Sequence, residues 1–402
     1  MSAQPVTSLH ASAKTPQDLI DAAHKLVPLI REHGDEHENN RQMSRAVYEA
    51  IADAGLLLMS APREVGGHEV DLPTHVRIIE ILAEADVSTA WAVNQGATFG
   101  WYGSRMNPQC AKAIWTDTPR ATVANSPIPN GKAVVVPGGY KVTVKQGFST
   151  GSTYAPWIAA HATVYENGEV RKINGMPETR YCLTPRAQVT IHDSWKTRGM
   201  RGTGTQTIET QDVFVPDEFT VLSTHNLQYQ AQVCGGVRYK VPLTLNFAMG
   251  DVMAAIALAR QCMTAFCELA GAKAPRHMHG MLRDQAIAQF AVGDTEALLR
   301  SARSFTIEAV QELWDDVVKN GVASIEKRAH ARLASIHGIR TAAQIVERLY
   351  PLCGGDAIFE GGIIQRCFQD IHVITQHVQG RLLNIELVGK YKLGVLNDDP
   401  RL

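Results

Sequence analysis

Two histidines near the end of the chain are the side chains best suited to proton transfer. His372 and His377 stand five residues apart in an apolar segment with helical periodicity. Imidazole titrates near neutral pH without help from its surroundings, so either residue could act as a general acid or base. On a helix a spacing of five separates them by about 140°. Helical zinc ligands stand four apart on one face, so the pair does not predict a metal site.

A third polar candidate is Ser149, in the run Phe148–Gly151. A hydroxyl both donates and accepts hydrogen bonds and could orient a polar ligand. The glycine-rich run Arg198–Thr205 invites comparison with a phosphate-binding loop. It lacks the GxGxxG and GK[ST] spacings and leads into a β-patterned segment instead of a helix. The letters GxSxG occur at Gly147–Gly151, but between β-patterned segments and not at the strand-to-helix turn of a nucleophile elbow. These residues therefore favour neither nucleotide-phosphate binding nor serine hydrolysis.

Composition and charge exclude several classes of protein. The 402 residues carry 39 basic and 40 acidic side chains, whereas nucleic-acid recognition needs a surplus of Lys and Arg. The best apolar run, around Phe247–Leu258, is interrupted by Asp251 and is shorter than the ~20 residues needed to cross a bilayer. The N-terminus has no apolar signal core, and the seven cysteines are scattered without a CxxC pair. We therefore expect a cytoplasmic globular protein that binds neither nucleic acid nor membranes.

Changes in the period of the apolar residues divide the chain into four segments. We expect a disordered tail over residues 1–14, a helical domain over 15–121, a β domain with its exit linker over 122–240, and a helical bundle over 241–402. Thr15 followed by Pro16 indicates a helix start. The bundle is predicted from four long apolar-periodic stretches: Leu243–Ala270, Met281–Lys319, Ile325–Pro351 and Ile363–Lys390. The predicted fold class is α+β.

Several short motifs, taken in order, resemble those of the acyl-CoA dehydrogenase superfamily from about Thr15 to Lys392. They are Ala54–Leu57 and Ala61–Gly67 in the first domain, Trp195–Gly204 and Asp212–Pro216 at the exit of the β domain, and Leu352–Gly355 and Gln365–Asp370 in the bundle. The resemblance implies an N-terminal helical domain, a central β-barrel or sandwich and a C-terminal four-helix bundle. It also implies a flavoprotein that assembles as a homotetramer.

The position of the catalytic acid separates the branches of this superfamily. Dehydrogenases need a carboxylate that removes the α-proton of an acyl thioester. The usual family position corresponds to Val378, and the alternative position, near Leu243–Leu245, also lacks an acid. The Phe148–Gly151 run, and the pattern of Asp370 with the two histidines, resemble instead the two-component flavin monooxygenases, although Gln369 replaces the usual Arg. An acyl-CoA dehydrogenase-like enzyme with its base elsewhere, and a scaffold that has lost flavin, remain as alternatives.

The resemblance to the monooxygenase branch implies a reaction and a set of site residues. Reduced FMN or FAD, supplied by a separate NAD(P)H flavin reductase, would react with O2 to a C4a-hydroperoxide that oxygenates a small aromatic or heteroatom-containing substrate. The implied catalytic residues are Ser149, His372 and His377. The implied flavin contacts are Asn125, Ser126, Phe148, Ser149, Trp195, Arg276, Gly354 and Gly355. The implied substrate pocket is formed by Trp91, Phe99, Trp101 and Tyr102; phenol hydroxylases of the branch often carry a His near the position of Phe99.

Overall fold

The computed structural model describes residues 13–397, 399 and 401–402, so the tail expected over 1–14 lies outside the described residues except for its last two. The first domain is helical. Its first helix starts at the predicted cap, where Thr15 and Asp18 each accept a hydrogen bond from the other's backbone N–H. The helices of this domain are α1 Pro16–Glu32, α2 Gly34–Asn40, α3 Arg45–Asp53, α4 Leu72–Ala83, α5 Val87–Phe99 and α6 Pro108–Trp115.

The middle of the chain forms a twisted sheet with a small hairpin beside it. In the main sheet the strand order is β11-β8-β4-β2-β3-β10-β9, with β1 and β5 added along β4. Pairing is antiparallel except where β1 and β2 run parallel to β4. The strands are β1 Val123–Asn125, β2 Gly131–Val136, β3 Gly139–Ser149, β4 Trp157–Glu166, β5 Glu169–Val170, β6 Lys172–Ile173, β7 Met176–Pro177, β8 Thr179–Pro185, β9 Thr190–His192, β10 Gln206–Pro216 and β11 Thr220–Leu222.

The C-terminal part is a helical bundle built around one central helix. Its helices are α7 Leu243–Ala272, α8 Ala286–Asn320, α9 Ile325–Cys353, α10 Ile363–Ile374 and α11 Leu383–Lys392. Helix α7 packs against α4, α5, α8, α9 and α10. It is long and apolar enough to cross a membrane by length and composition, but 61% of its most apolar window is buried inside the protein. Its apolar surface is thus accounted for by packing, and the predicted order of helical, β and helical domains is confirmed.

The last predicted helix, Ile363–Lys390, is wrong as a single element. Helix α10 ends at Ile374, a short 3₁₀ turn follows at Val378–Gly380, and the next helix starts at Leu383. Arg340 of α9 explains the break, because its guanidinium donates hydrogen bonds to the carbonyl of Gly380 at 2.8 Å and to that of Thr375 at 3.4 Å. Carbonyls bonded in this way hold the chain in a turn against α9. His377 is consequently not helical, and the angle estimated between the two histidines does not apply.

A buried carboxylate joins the first domain to the bundle. Glu80 on α4 accepts a hydrogen bond from Arg77 at 2.6 Å and a bidentate contact from Arg303 on α8, with one arm at 3.0 Å. Its side chain is almost fully buried, while both arginines are partly exposed. Burial by itself raises the pKa of the Glu80 carboxyl, but the hydrogen bonds from the two arginines outweigh it and leave the pKa below its ordinary value of 4.5.

We expect Glu80→Gln to lower the free energy of unfolding at pH 7 by about 1–3 kcal/mol, less than for a fully buried pair because solvent screens the arginines. A folded-state pKa below the unfolded value stabilises the protein above about pH 4.5, and that stabilisation is lost as the pH falls through the lower folded pKa. Urea unfolding of both proteins across this range should show the difference shrinking in acid. Glu296→Gln, which removes a more exposed partner of Arg260 and Arg300, should cost less than about 1 kcal/mol.

Candidate active site

Helices α5 and α7 and the turn after α10 meet around one imidazole. The ring of His377 lies edge-on to Trp91 of α5, with centroids 5.0 Å apart. Its Nδ1 lies 3.4 Å from Oδ2 of Asp251, which is fully buried on α7. Gln379 fixes the turn that carries the histidine, since its amide donates to the carbonyl of Thr244 on α7 at 3.3 Å. The position of His377 is therefore set by the bundle and not by a flexible loop.

The second oxygen of Asp251 is held from α5. Its Oδ1 accepts hydrogen bonds from Asn94 Nδ2 and Gln95 Nε2, each at 2.9 Å. Asn94 can approach because residue 250 is glycine; a Cβ there would lie 2.1 Å from Asn94 Oδ1. The carboxyl group thus has one oxygen bonded to two amides and the other directed at His377.

Burial changes the pKa of both members of this pair, in each case in the direction that favours the uncharged group. It raises the pKa of the Asp251 carboxyl to about 8 in spite of the two amide hydrogen bonds. Burial, and to a smaller extent the nearby Arg381, lower the pKa of the His377 imidazole to about 4. About a third of the His377 side chain, 32%, is exposed although Nδ1 is buried. The accessible part of the ring therefore lies away from Asp251, where Nε2 is its remaining polar atom.

A row of buried polar side chains continues from Asp251 into the first domain. Asn94 Oδ1 accepts from His75 Nε2 at 2.8 Å, and His75 Nδ1 lies 3.1 Å from Ser60 Oγ. Ser60 in turn accepts from Arg238 at 2.9 Å. Burial lowers the pKa of His75 to about 3, so this imidazole is neutral, and it lowers the pKa of Arg238 to about 10, which leaves the guanidinium charged at pH 7. The row links a buried cation to the buried carboxyl group.

Sequence analysis missed this row. Asp251 was read there only as an interruption of an apolar run, yet an acid in the middle of a core helix is itself a signal, because a carboxyl group is not buried without polar partners. The signal could have identified the aspartate. It could not have identified Asn94, His75 or Arg238, which come from distant parts of the chain and meet only in the folded protein.

On the sheet side, Ser149 and Phe148 form a surface that suits a planar ligand. Ser149 ends β3 with its side chain fully buried, and its hydroxyl has no hydrogen-bond partner among the described residues. Phe148 has a left-handed backbone, φ +61°, which is uncommon for a bulky residue, and its ring is 57% exposed. Trp195 lies edge-on to this ring with centroids 6.2 Å apart, and its indole N–H donates to the Met200 carbonyl at 2.9 Å.

The glycine-rich run connects this surface to α10. Met200 N–H donates to the buried carboxyl group of Asp370. Gly199 packs so closely on α10 that a Cβ there would lie 2.3 Å from the Gln369 carbonyl oxygen. Gly199 of the run is thus a packing contact, and the same helix α10 leads directly to the turn of His377.

The flavin contacts predicted at the end of β1 and the predicted aromatic substrate pocket lie in separate places. Asn125 ends β1, and the buried hydroxyl of Ser126 accepts from the backbone of Ile128 at 3.4 Å. Phe99, Trp101 and Tyr102 are buried in an aromatic cluster with Tyr181 and Tyr239, separate from the cluster that contains Trp91. Trp101 also lines a cavity of about 210 Å³ between the first domain and the start of α7, beside Arg105 and Thr244.

His372 is not brought together with His377. It lies on α10 against Phe368, 4.5 Å between ring centroids, and 3.7 Å from Glu347, with 40% of its side chain exposed. Arg276 is exposed in the connection from α7 to α8, and Gly354 and Gly355 are exposed just after α9. These two surface segments are neighbours, because the ammonium of Lys273 bonds both the Cys353 carbonyl and Asp356 at 2.5 Å.

The residues present fit a flavin. The buried hydroxyl of Ser149 lacks a partner, and an exposed aromatic ring is held beside it in a strained backbone conformation. A planar, hydrogen-bonding ligand would supply both the missing partner and a surface for the ring.

We expect Ser149→Ala to weaken binding of reduced flavin about tenfold, as for one lost hydrogen bond to a buried group, without a large change in stability. Anaerobic titration of protein against reduced flavin measures the dissociation constant. Ser152→Ala removes an equally buried hydroxyl that also lacks a partner in the described chain. If the two variants weaken binding equally, Ser149 is not a specific flavin ligand.

Comparison with known proteins gives the family. The acyl-CoA dehydrogenase N-terminal domain model matches residues 17–105 and the C-terminal domain model matches 249–381. The chain is 26% identical to a pigment production hydroxylase from Rhodococcus sp. (strain ATCC 21145), over 96% of this chain and 99% of that protein. It is 27% identical to an indole-3-acetate monooxygenase from Pseudomonas putida, over 85% of each.

A solved structure shows the same fold over the whole length. XiaF from Streptomyces sp., in complex with FADH2 and glycerol, superposes with a TM-score of 0.87 at 22% identity, covering 96% of this chain and 98% of that one. The two family models together match most of both helical domains, and the fold match includes the sheet between them. The chain therefore belongs to the acyl-CoA dehydrogenase superfamily, as its motifs predicted.

Proposed function

We propose that this protein is a flavin-dependent monooxygenase, which uses reduced flavin and O2 to oxygenate a small aromatic or heteroatom-containing substrate. The observation that carries this proposal is the state of Asp251, the acid that lies beside His377 in the described part of the chain. Asp251 is fully buried, one oxygen accepts from two amides, the other faces the imidazole at 3.4 Å, and burial raises the pKa of the carboxyl to about 8. A dehydrogenase needs an ionised carboxylate that faces the α-carbon of a thioester. The monooxygenase relatives support the same choice.

The roles of the individual side chains follow from their positions. Bound reduced flavin supplies the electrons that activate O2. Ser149 gives the flavin a hydrogen bond, and Phe148 and Trp195 contact its ring system. His377 presents Nε2 as the group that gives or takes a proton at the reacting oxygen. Trp91, packed edge-on to His377, keeps water from that side of the imidazole.

We further propose that a separate NAD(P)H flavin reductase provides the reduced FMN or FAD. The glycine-rich run is used for packing on α10 and offers no nicotinamide dinucleotide loop. FADH2 in the XiaF structure supports reduced flavin as the bound form. Mixing the protein with reduced FMN or reduced FAD, and comparing dissociation constants, decides which flavin it prefers.

Assembly into a homotetramer is part of the proposal. Phe290 on α8, and Ile358 and Phe359 after α9, expose large apolar side chains on the bundle surface. The latter two follow directly on Gly354 and Gly355, so an adjoining subunit would bring its flavin to these glycines and to Arg276. Light scattering should then give about four times the chain mass of 43.9 kDa. If the measured mass is that of a monomer, no adjoining subunit brings a flavin to Arg276 and the two glycines, and they are not flavin contacts.

The decisive experiment supplies reduced flavin, ¹⁸O₂ and a panel of indoles, phenols, sulfides and amines. We expect ¹⁸O in one product, with hydrogen peroxide release lower in the presence of that substrate. In a parallel anaerobic assay, oxidised flavin on the enzyme should not be bleached by acyl-CoA thioesters. Bleaching by a thioester, with no ¹⁸O in any product, would establish the dehydrogenase alternative. Failure to bind either flavin in either redox state would establish the scaffold alternative.

A further inference from the structure

We propose that Asp251 and His377 share one proton, and that Asp251 is the positioning residue that holds the imidazole as the Nε2–H tautomer and returns a proton to it during turnover. This inference rests on the proposed function for its catalytic consequence, but its structural part concerns the protein alone. It assigns a function to the polar row that runs from Asp251 to Arg238.

The number of protons follows from the contact itself. Asp251 Oδ2 and His377 Nδ1 are both buried, and neither makes a hydrogen bond of good geometry to any described group, including the other. They face each other at 3.4 Å. With no proton between them two lone pairs would be opposed, and with a proton on each atom two hydrogens would be opposed. One proton satisfies both atoms, which removes the cost of two unpaired buried polar groups.

Burial determines which atom carries this proton at rest. Separating it into a carboxylate and an imidazolium would create two charges away from water, which is disfavoured in this interior. The raised pKa of the carboxyl and the lowered pKa of the imidazole place the proton on Asp251. Oδ2–H then donates to Nδ1, and the neutral ring carries its own hydrogen on Nε2, at the accessible edge. His377 is thereby a hydrogen-bond donor to an oxygen that approaches this edge.

The arrangement allows a proton to move without charging the imidazole. When Nε2 gives its hydrogen to an oxygen of the reacting group, Nδ1 takes the hydrogen from Asp251 Oδ2. The ring stays neutral as the other tautomer, and the negative charge appears on Asp251. Water at the accessible edge later reprotonates Nε2, and Nδ1 returns its proton to the carboxyl. One proton leaves and one enters, so the cycle is balanced.

The polar row explains how a charge on Asp251 can be accommodated. The amides of Asn94 and Gln95 already donate to Oδ1. Asn94 is oriented by the Nε2–H of His75, and His75 accepts in turn from Ser60 or Arg238. Every hydrogen bond in the row thus points its positive end towards Asp251, and the row ends on a buried guanidinium. This preorganised field stabilises the transient carboxylate without any reorganisation.

The charged groups around the pair, among the described residues, are arginines. From α9, Arg340 bonds the carbonyls of Thr375 and Gly380, and Arg332 bonds the side chain of Gln379, so both hold the turn of His377. Arg381, beyond the turn, lowers the pKa of the His377 imidazole, and α5 contributes only the neutral Asn94 and Gln95 to Asp251. His75 from α4 is neutral, and Arg238 acts through Ser60 and His75. A pH dependence of the pair therefore reports Asp251 and His377 themselves.

Infrared difference spectra of the flavin-free protein test the inference directly. A protonated carboxyl has a C=O stretch above the amide region, and subtracting the spectrum of Asp251→Asn from that of the wild type isolates Asp251. We expect this band at pH 7, and its loss in the wild type as the pH rises through about 8. Absence of the band at pH 7 would overturn the proposal. Should the variant not fold, ¹⁵N-histidine NMR of the wild type must show His377 as the neutral Nε2–H tautomer at pH 6; an imidazolium or an Nδ1–H tautomer there contradicts it.

Activity gives the second readout. In Asp251→Asn the amide still donates to Nδ1 and keeps the tautomer, but it has no proton to transfer. We expect coupled oxygenation to fall about 10²-fold with flavin affinity retained. In the wild type, coupling should change near pH 8, where Asp251 titrates, and the variant should lack this change. Glu347→Gln is the matched control, because Glu347 forms a similar contact with His372 on the surface. If the wild type oxygenates no substrate, the proposed function fails while the infrared band still decides the shared proton.

Discussion

Replacing His377 by Asn should leave binding of reduced flavin nearly unchanged and lower the rate of coupled product formation about 10²–10³-fold, with the consumed O2 released as hydrogen peroxide. The physical reason is that Asn fills part of the same space and can accept the hydrogen of Asp251, but it cannot pass a proton from one side of the side chain to the other. The measurement is the ratio of product to peroxide at a fixed amount of reduced flavin.

The matched change is His372→Asn. His372 lies partly exposed on α10 beside Glu347 and belongs to neither the Asp251 contact nor the Trp91 contact. From this geometry we expect His372→Asn to keep the wild-type ratio of product to peroxide. Loss of coupling in His372→Asn together with normal coupling in His377→Asn would show that the wrong histidine has been placed in the site.

The second large effect is expected from one methyl group on α7. Gly250→Ala places a Cβ 2.1 Å from Asn94 Oδ1 and 2.4 Å from its Cγ. Asn94 can move away only by breaking its hydrogen bonds to His75 and Asp251. Overpacking costs about 1–3 kcal/mol and each lost buried hydrogen bond about 1–3 kcal/mol, which outweighs the ~0.5–1 kcal/mol that Ala gains over Gly in a helix. We expect both the urea midpoint and the coupling ratio to fall.

Gly293→Ala is the control for helix propensity. Gly293 is an exposed residue of α8, and a Cβ there would meet nothing within 4 Å. This variant should gain about 0.5–1 kcal/mol of stability with unchanged coupling. If Gly250→Ala also proves stabilising, the contact of Asn94 with α7 is looser than the structure indicates. The hydrogen bond that positions Asp251 would then come from Gln95.

The fold could be predicted from the sequence because its signals are local or repetitive. Apolar periodicity located α7, α8 and α9 to within a few residues, and Thr15 marked the first helix cap. The prediction of one helix over Ile363–Lys390 was wrong because the apolar pattern continues through a turn. What breaks the helix there is Arg340, which lies more than 30 residues earlier on another helix and cannot be seen in a local window.

The candidate site was predicted only in part. The motif resemblance predicted Ser149 and His377, and the structure buries the hydroxyl of the first and Nδ1 of the second. His377 makes its closest polar contact with Asp251, a residue that sequence analysis gave no function. A side chain's chemistry is decided by its desolvation and its partners, and these are tertiary properties. His372 and His377 look alike in the sequence, and only the packing of α7 separates them.

The central position of α7 has a consequence for protein engineering. This helix contacts five others and also carries Asp251 and Gly250, so a substitution in its core disturbs expression and turnover together. A mutant library intended to change substrate range should keep α7 constant. Arg105, Thr224, Leu227, Gln228 and Lys240 line the cavity at the start of α7 without being part of its core. Diversity introduced there leaves the proton-handling pair and the core of α7 intact.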